Sequence, residues 1–205
     1  MKYFPQLKAA LFLASLIPLI RLSWYGYSSQ LGANPIEFIT RSLGTWTLVF
    51  LLITLSITPL RKLSGWSWLI KLRRMAGLFA FFYALLHFIT YIWLDQFFDL
   101  NSIYKDVIKR PFITIGFTAF ILLIPLAVTS TNAMMKKLGG KRWQMLHRLI
   151  YPIAIFAVLH YWWLVKKDIT QPLIYAAVLA TLLGYRVWIK RAGEKKSVNT
   201  LRNVE

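Results

Sequence analysis

Charged positions divide this chain into six long apolar stretches: roughly 9–26, 44–60, 75–94, 112–130, 147–165 and 172–190. A helix that crosses a bilayer needs about 20 mostly apolar residues, and each stretch is close to that length. The polar residues fall between them in an alternating pattern. Segment 61–74 holds Arg61, Lys62, Lys71, Arg73 and Arg74 with no acid. Segment 131–146 holds Lys136, Lys137, Lys141 and Arg142, again with no acid. The end of the chain adds Arg186, Lys190, Arg191, Lys195, Lys196 and Arg202. The other connections are mixed: Glu37 against Arg41, Asp95, Asp99 and Asp106 against Lys105, Lys109 and Arg110, and Asp168 against Lys166 and Lys167. They hold five of the seven acids. Lys and Arg favour the cytoplasmic side, so both termini and the 61–74 and 131–146 loops are expected there.

Turn residues agree with these boundaries. Pro35, Pro59, Pro111 and Pro172 lie near run ends, as does the pair Gly139–Gly140. Pro125 and Pro152 lie inside runs and are expected to kink their helices. The pattern predicts an all-α fold, a polytopic membrane bundle of six transmembrane helices. It forms one domain over 1–205, with a core at 9–190 and a basic cytoplasmic tail at 191–205.

Composition supports the membrane class: 58% of the residues are hydrophobic, and most of the nine Trp stand near run ends, as in interfacial aromatic belts. A net charge of +18 could indicate nucleic acid, but the cations are confined to short loops, so the expected partner is the lipid bilayer and no nucleic acid. The absence of cysteine excludes disulfides, iron–sulfur clusters, thiolate metal sites and covalent C-x-x-C-H haem. The N-terminal run follows Lys2 and Lys8 but lacks a convincing small-residue cleavage site, so it reads as a retained first helix.

All three histidines fall in the apolar runs: His87 in the third, His147 and His160 in the fifth. Ionisable groups at bilayer depth are expensive and mark function by default. His87 lies 13 residues beyond Arg74, and His160 lies 13 beyond His147. The third and fifth helices run in the same direction. At ~1.5 Å per residue, both histidines sit about 20 Å from the cytoplasmic entry, in the outer half of the bilayer. Two neutral imidazoles reaching from opposite sides can complete the coordination of a haem iron. Gly77, Ala80 and Ala84 before His87, and Ala154 and Ala157 before His160, leave room for a macrocycle or for close helix packing.

His147 stands at the cytoplasmic mouth, level with Arg73 and Arg74. On a straight helix it points about 140° away from His160. Three roles stay open for it: ligand to a second haem, contact with a flavin or quinone, or a side chain among headgroups. Arg73, Arg74, Arg142 and Arg148 are candidates to hold haem propionates or flavin phosphate, because guanidinium matches such anions bidentately. The alternative for each is a topology signal in a basic loop. No carboxylate lies inside a run, which removes a di-iron site and disfavours an acidic proton relay. No G-x-G-x-x-G or Walker A motif supports nucleotide binding.

The stretches LGANP (31–35), ITPLRK (57–62), RRMAGLF (73–79), LHFITY (86–91), KRPFITIG (109–116), AVTSTNAM (127–134), WQMLHRLIYPIA (143–154), LHYWWLVK (159–166) and QPLIYA (171–176) resemble the MsrQ family, formerly YedZ. The match runs from about residue 6 to residue 190 and is specific in order and spacing. These are haem-binding membrane subunits of bacterial periplasmic methionine sulfoxide reductase systems, within the ferric reductase-like transmembrane domains. The resemblance implies a b-type cytochrome of the inner membrane with haem b, one or two, and an associated flavin mononucleotide (FMN). Its electrons would come from the quinone pool or a cytoplasmic flavin reductase. They would pass to MsrP, a periplasmic molybdopterin enzyme that repairs oxidised proteins.

His87, His147 and His160 match the family's three histidines. The wider superfamily usually has four, and Arg73 or Arg74 stands where the fourth would be. The chain has no cysteine nucleophile and no evident molybdenum site, so sulfoxide catalysis is expected in the partner. The residues alone leave two other readings, a channel or carrier with structural histidines and a scaffold anchored by its basic loops.

Overall fold

A computed structural model of the chain describes residues 3–165 and 167–202, with side chains as far as Ala192. Lys166, expected in the connection 166–171, and most of the expected basic tail therefore lie outside the described side chains. The described residues form helices and no strand.

Helix α1 (Phe4–Tyr27) starts with proline in its first turn, where a missing N–H costs nothing. Helix α2 (Pro35–Ser64) does the same, and the Asn34 side chain caps it by accepting from Glu37 N at 3.2 Å. It ends on Gly65, whose φ of 73° suits a residue without Cβ. A 3₁₀ turn (Ser67–Leu72) leads into α3 (Arg73–Thr90), which widens into a π-helical turn (Tyr91–Asp95). Helices α4 (Leu100–Lys109) and α5 (Pro111–Val128) follow, then the short α6 (Asn132–Leu138) and α7 (Gly140–His147). Helix α8 (Ile150–Leu164) and the long α9 (Thr170–Arg202) complete the bundle.

Two features depart from the expected six runs. Five helical segments are long and apolar enough to cross a membrane: Phe4–Tyr27, Pro35–Ser64, Ser67–Asp95, Pro111–Val128 and Thr170–Ala192. The run expected at 147–165 is broken, because α7 ends at His147 and α8 begins at Ile150. Pro152 explains the break: it has no N–H to bond Arg148 O, and its ring crowds that carbonyl. The Tyr151 N–H takes the carbonyl instead, at 3.1 Å, in a tighter turn. Pro152 thus marks the first turn of a new helix rather than a kink within one, and Pro125 lies in the last turn of α5. The second departure is α4, a helix inside a segment expected to be a plain connection. Asp99 caps it, accepting from Asn101 N at 2.9 Å and Ser102 N at 3.3 Å.

Helix α2 is the centre of the packing, against α1, α3, α8 and α9, and α5 packs along α8 and α3. The largest core joins α1, α2, α3, α5 and α8 through residues such as Leu51, Phe79, Tyr83, Leu123 and Ile153. Phe50 stacks on Tyr83 at 5.4 Å and 8°, and the buried Tyr83 hydroxyl donates to Ser15 O at 2.7 Å. A second core, including Leu52, Leu55, Ala154 and Leu179, fastens α9 to α2 and α8. Arg186, near the end of the expected sixth run, lies within α9. It donates to Leu182 O at 2.8 Å and to Leu55 O, and its guanidinium lies 5.6 Å from the Tyr151 ring centre. Outward-facing Phe12, Ile20, Ile121, Leu173 and Val178 are exposed, as lipid-facing side chains are in a membrane bundle. One end of the bundle, the acidic end, carries Glu37, Asp95 and Asp106 interspersed with Arg41, Lys105 and Arg110; the other carries Arg61, Arg73, Lys136 and Arg142.

Candidate functional site

The bundle brings His87 of α3 and His160 of α8 together. Their ring centroids are 6.3 Å apart, and their planes meet at 76°. Each ring reaches across to a neighbouring helix and bonds a main-chain carbonyl through Nδ1. His87 Nδ1 is 2.8 Å from Thr40 O on α2, and His160 Nδ1 is 2.6 Å from Phe112 O on α5. A carbonyl only accepts, so both Nδ1 atoms carry the proton and donate. Both Nε2 atoms therefore keep a free lone pair, the tautomer a metal-binding imidazole needs.

A helical carbonyl already accepts from the N–H four residues on, which for Thr40 and Phe112 means Gly44 and Gly116. Those glycines make room for the second bond. A Cβ on Gly44 would stand 3.1 Å from His87 Cε1, and one on Gly116 only 2.7 Å from His160 Nδ1. The same device thus appears twice, with a carbonyl at one position and a glycine one turn later. Sequence reasoning missed both glycines. The available signal was an isolated glycine in an apolar helix, which usually has a packing or functional reason.

Between α2, α3, α5 and α8 lies a cavity of about 530 Å³ that both histidines line. Phe88 and Phe120, stacked at 4.4 Å, form part of one wall, and Leu51, Leu123 and Ile153 lie deepest. The small residues expected around the histidines divide. Ala84 and Ala157 line the cavity, whereas Ala80 and Ala154 are fully buried in helix packing and Gly77 meets Thr54.

The arrangement fits a haem. A metal–imidazole bond is about 2.0–2.1 Å, and an imidazole centroid lies about 1.1 Å behind its nitrogen, so two rings on one iron have centroids about 6.3 Å apart. That is the spacing observed. Among the described residues no three His, Asp or Glu side chains converge on one point, so a metal held by these two rings would need further ligands from outside these side chains, as the four nitrogens of a porphyrin would supply.

His147 is placed differently. It closes α7 at the basic end, its ring stacked on Trp143 at 3.9 Å and 26°. Its Nε2 lies 3.1 Å from Thr129 Oγ1, whose own proton goes to Pro125 O at 2.6 Å. His147 Nε2–H therefore donates, and that nitrogen is committed. Arg73 and Arg74 are its neighbouring charges, and Arg74 Nη1 holds Asn132 Oδ1 at 2.6 Å. Arg142 and Arg148 are exposed at the same end. None of these four arginines lines the cavity of His87 and His160.

The bundle pairs two histidines over a cavity, and residues 40–158 match the family model of the ferric reductase like transmembrane component. That match covers more than half the chain, which belongs to this family. Within it the similarity narrows to MsrQ proteins. The chain is 62% identical over 196 residues to the "Protein-methionine-sulfoxide reductase heme-binding subunit MsrQ" of Herminiimonas arsenicoxydans, covering 92% of this chain and 90% of that one. It is 58% identical over 182 residues to the protein of that name in Azospira oryzae, covering 88% and 78%. It is 50% identical over 196 residues to that of Xanthomonas campestris pv. campestris, covering 93% and 89%. The chain is a member of the MsrQ family.

Proposed function

We propose that this chain is the haem-binding electron-transfer subunit of a periplasmic methionine sulfoxide reductase, with one haem b held between His87 and His160. One observation carries the reading: two imidazoles from different helices, each fixed by an Nδ1–H bond to a carbonyl, face a common cavity at the separation one iron requires. Bound there, haem would supply a one-electron carrier. The protein's part is to fix both rings in one tautomer and to wall the site with apolar side chains. The Nδ1–H bonds to Thr40 O and Phe112 O also raise the basicity of the opposite nitrogens.

The surroundings fit the rest of the role. Basic loops at one end support an orientation with both termini in the cytoplasm, and the likeness to MsrQ proteins supports a bacterial inner membrane as the location. The acidic end then faces the periplasm, where the acceptor is the molybdopterin subunit MsrP. Electrons enter from the quinone pool or a cytoplasmic flavin reductase at the basic end. There Arg73, Arg74, Arg142 and Arg148 are the candidates to hold the phosphate of an FMN. Ligation of a second haem by His147 Nε2 would first require its bond to Thr129 to break.

The test is a reduced-minus-oxidised absorbance spectrum of the purified protein. A b-type haem signal is expected in wild type and a loss of most of it in His87→Ala and in His160→Ala. Colourless wild-type protein after expression with ample haem would contradict the reading and favour a channel or scaffold.

A further inference from the structure

We propose that Arg41 and Arg110 form a clamp for the two haem propionates at the cavity mouth, an inference that rests on haem occupying the His87–His160 cavity. The cavity changes character along its length. Of its lining residues, Leu51, Leu123 and Ile153 are nearly fully buried and mark its deep end, whereas Asn34, Glu37, Arg41, Asp95 and Arg110 are exposed and mark its mouth. A haem has the same polarity, with an apolar macrocycle and two carboxylates on one edge. Burial of the apolar edge at depth sends the propionates to the mouth.

Two carboxylates arriving there meet Glu37 and Asp95, so the mouth needs cations to receive them. Arg41 and Arg110 are the cations that line it. Each is tied to one of the histidine braces. Arg41 follows Thr40, whose carbonyl fixes His87, and Arg110 stands two residues before Phe112, whose carbonyl fixes His160. One short segment thus sets both a ligand ring and a guanidinium, once on each side of the cavity.

Both guanidiniums have donors to spare. Arg41 Nη2 pairs with Glu37 Oε1 at 2.6 Å, and Arg110 Nη1 pairs with Asp106 Oδ2 at 3.3 Å. A guanidinium has five N–H donors, so each pair leaves others for a second carboxylate. A further polar atom awaits a partner. Thr40 lines the same cavity, and its Oγ1 is buried with no hydrogen-bond partner. A buried hydroxyl without a partner is unfavourable, and a propionate oxygen would satisfy it. The four arginines expected from sequence to take this role lie at the opposite end of the bundle.

The test measures haem release to excess apomyoglobin from full-length protein in lipid nanodiscs. Arg41→Gln and Arg110→Gln are each expected to release haem about tenfold faster, and the double variant about a hundredfold faster. Both single variants should also have a lower midpoint potential, because a cation that favours the reduced iron is gone. Haem dimethyl ester, which lacks propionate charge, should leave wild-type protein about as fast as haem leaves the double variant. The exposed control Lys105→Gln should match wild type. Equal release of haem and its ester from wild type, or unchanged release from the double variant, would overturn the clamp while leaving His87 and His160 as ligands. A wild-type protein that takes up neither haem nor its ester would overturn the underlying reading itself.

Discussion

The two ends of the bundle use histidine in opposite ways. At the acidic end, His87 and His160 spend Nδ1–H on a helix carbonyl and keep Nε2 free. At the basic end, His147 spends Nε2–H on a threonine hydroxyl and lays its ring on Trp143. The residue type is the same and all three are at least partly buried; the difference lies in what stands one turn away. Glycine beside a carbonyl lets a ring approach the main chain and turn its second nitrogen into a cavity. A tryptophan and a hydroxyl engage ring and nitrogen together, so Nε2 is occupied rather than free. Burial of a histidine in a membrane protein is therefore a weaker sign of ligation than the identity of the ring nitrogen that is occupied.

The largest expected effect breaks the comparison outright. Loss of either His87 or His160 should remove most bound haem, whereas His147→Ala should retain it; haem content per protein checks all three. Gly116→Ala comes next. Its Cβ would overlap His160 and force the ring off Phe112 O, so haem affinity should fall about tenfold or more, in line with about 1–3 kcal/mol for overpacking. Gly44→Ala meets a looser contact and should lower affinity only severalfold, and a haem titration separates the two.

Thr129→Val sharpens the other side. It removes the partner of His147 Nε2, which should destabilise the basic end by about 1–2 kcal/mol and leave the haem spectrum unchanged. Thermal unfolding and absorbance on one sample test both halves.

The smallest effect concerns the α4 cap. The Ser102 hydroxyl, then the amides of Ser102 and Asn101, hold the Asp99 carboxyl below its ordinary value. A depressed carboxylate stabilises the fold above its unfolded pKa, and that contribution is lost as pH falls through the folded pKa. Amide exchange at Asn101 and Ser102 should be faster in Asp99→Ala than in wild type at neutral pH. The gap should close as pH drops below about 4.

Much of this was legible in the chain. The matched depth of His87 and His160 followed from helical rise alone, because both lie 13 residues from a boundary that the basic loops mark. Their shared face followed less directly: small residues flank both histidines, but only Ala84 and Ala157 line the cavity. Gly44 and Gly116 stayed hidden because their role depends on a ring from another helix, which no local periodicity records. Pro152 was visible, but it could signal a kink or a break, and the turn at Arg148 decides between them. Amphipathic α4 was hidden by its charges, which read as a connection. The two arginines at the cavity mouth were overlooked for a related reason. Basic clusters draw attention to the cytoplasmic end, while Arg41 and Arg110 stand in segments that also hold acids.

Low-temperature electron paramagnetic resonance of the ferric protein tests the His87–His160 pairing most directly. Two imidazole ligands predict a low-spin ferric signal in wild type and in His147→Ala. His160→Ala should give a high-spin signal or none. A low-spin signal that survives unchanged in both His87→Ala and His160→Ala would contradict the account.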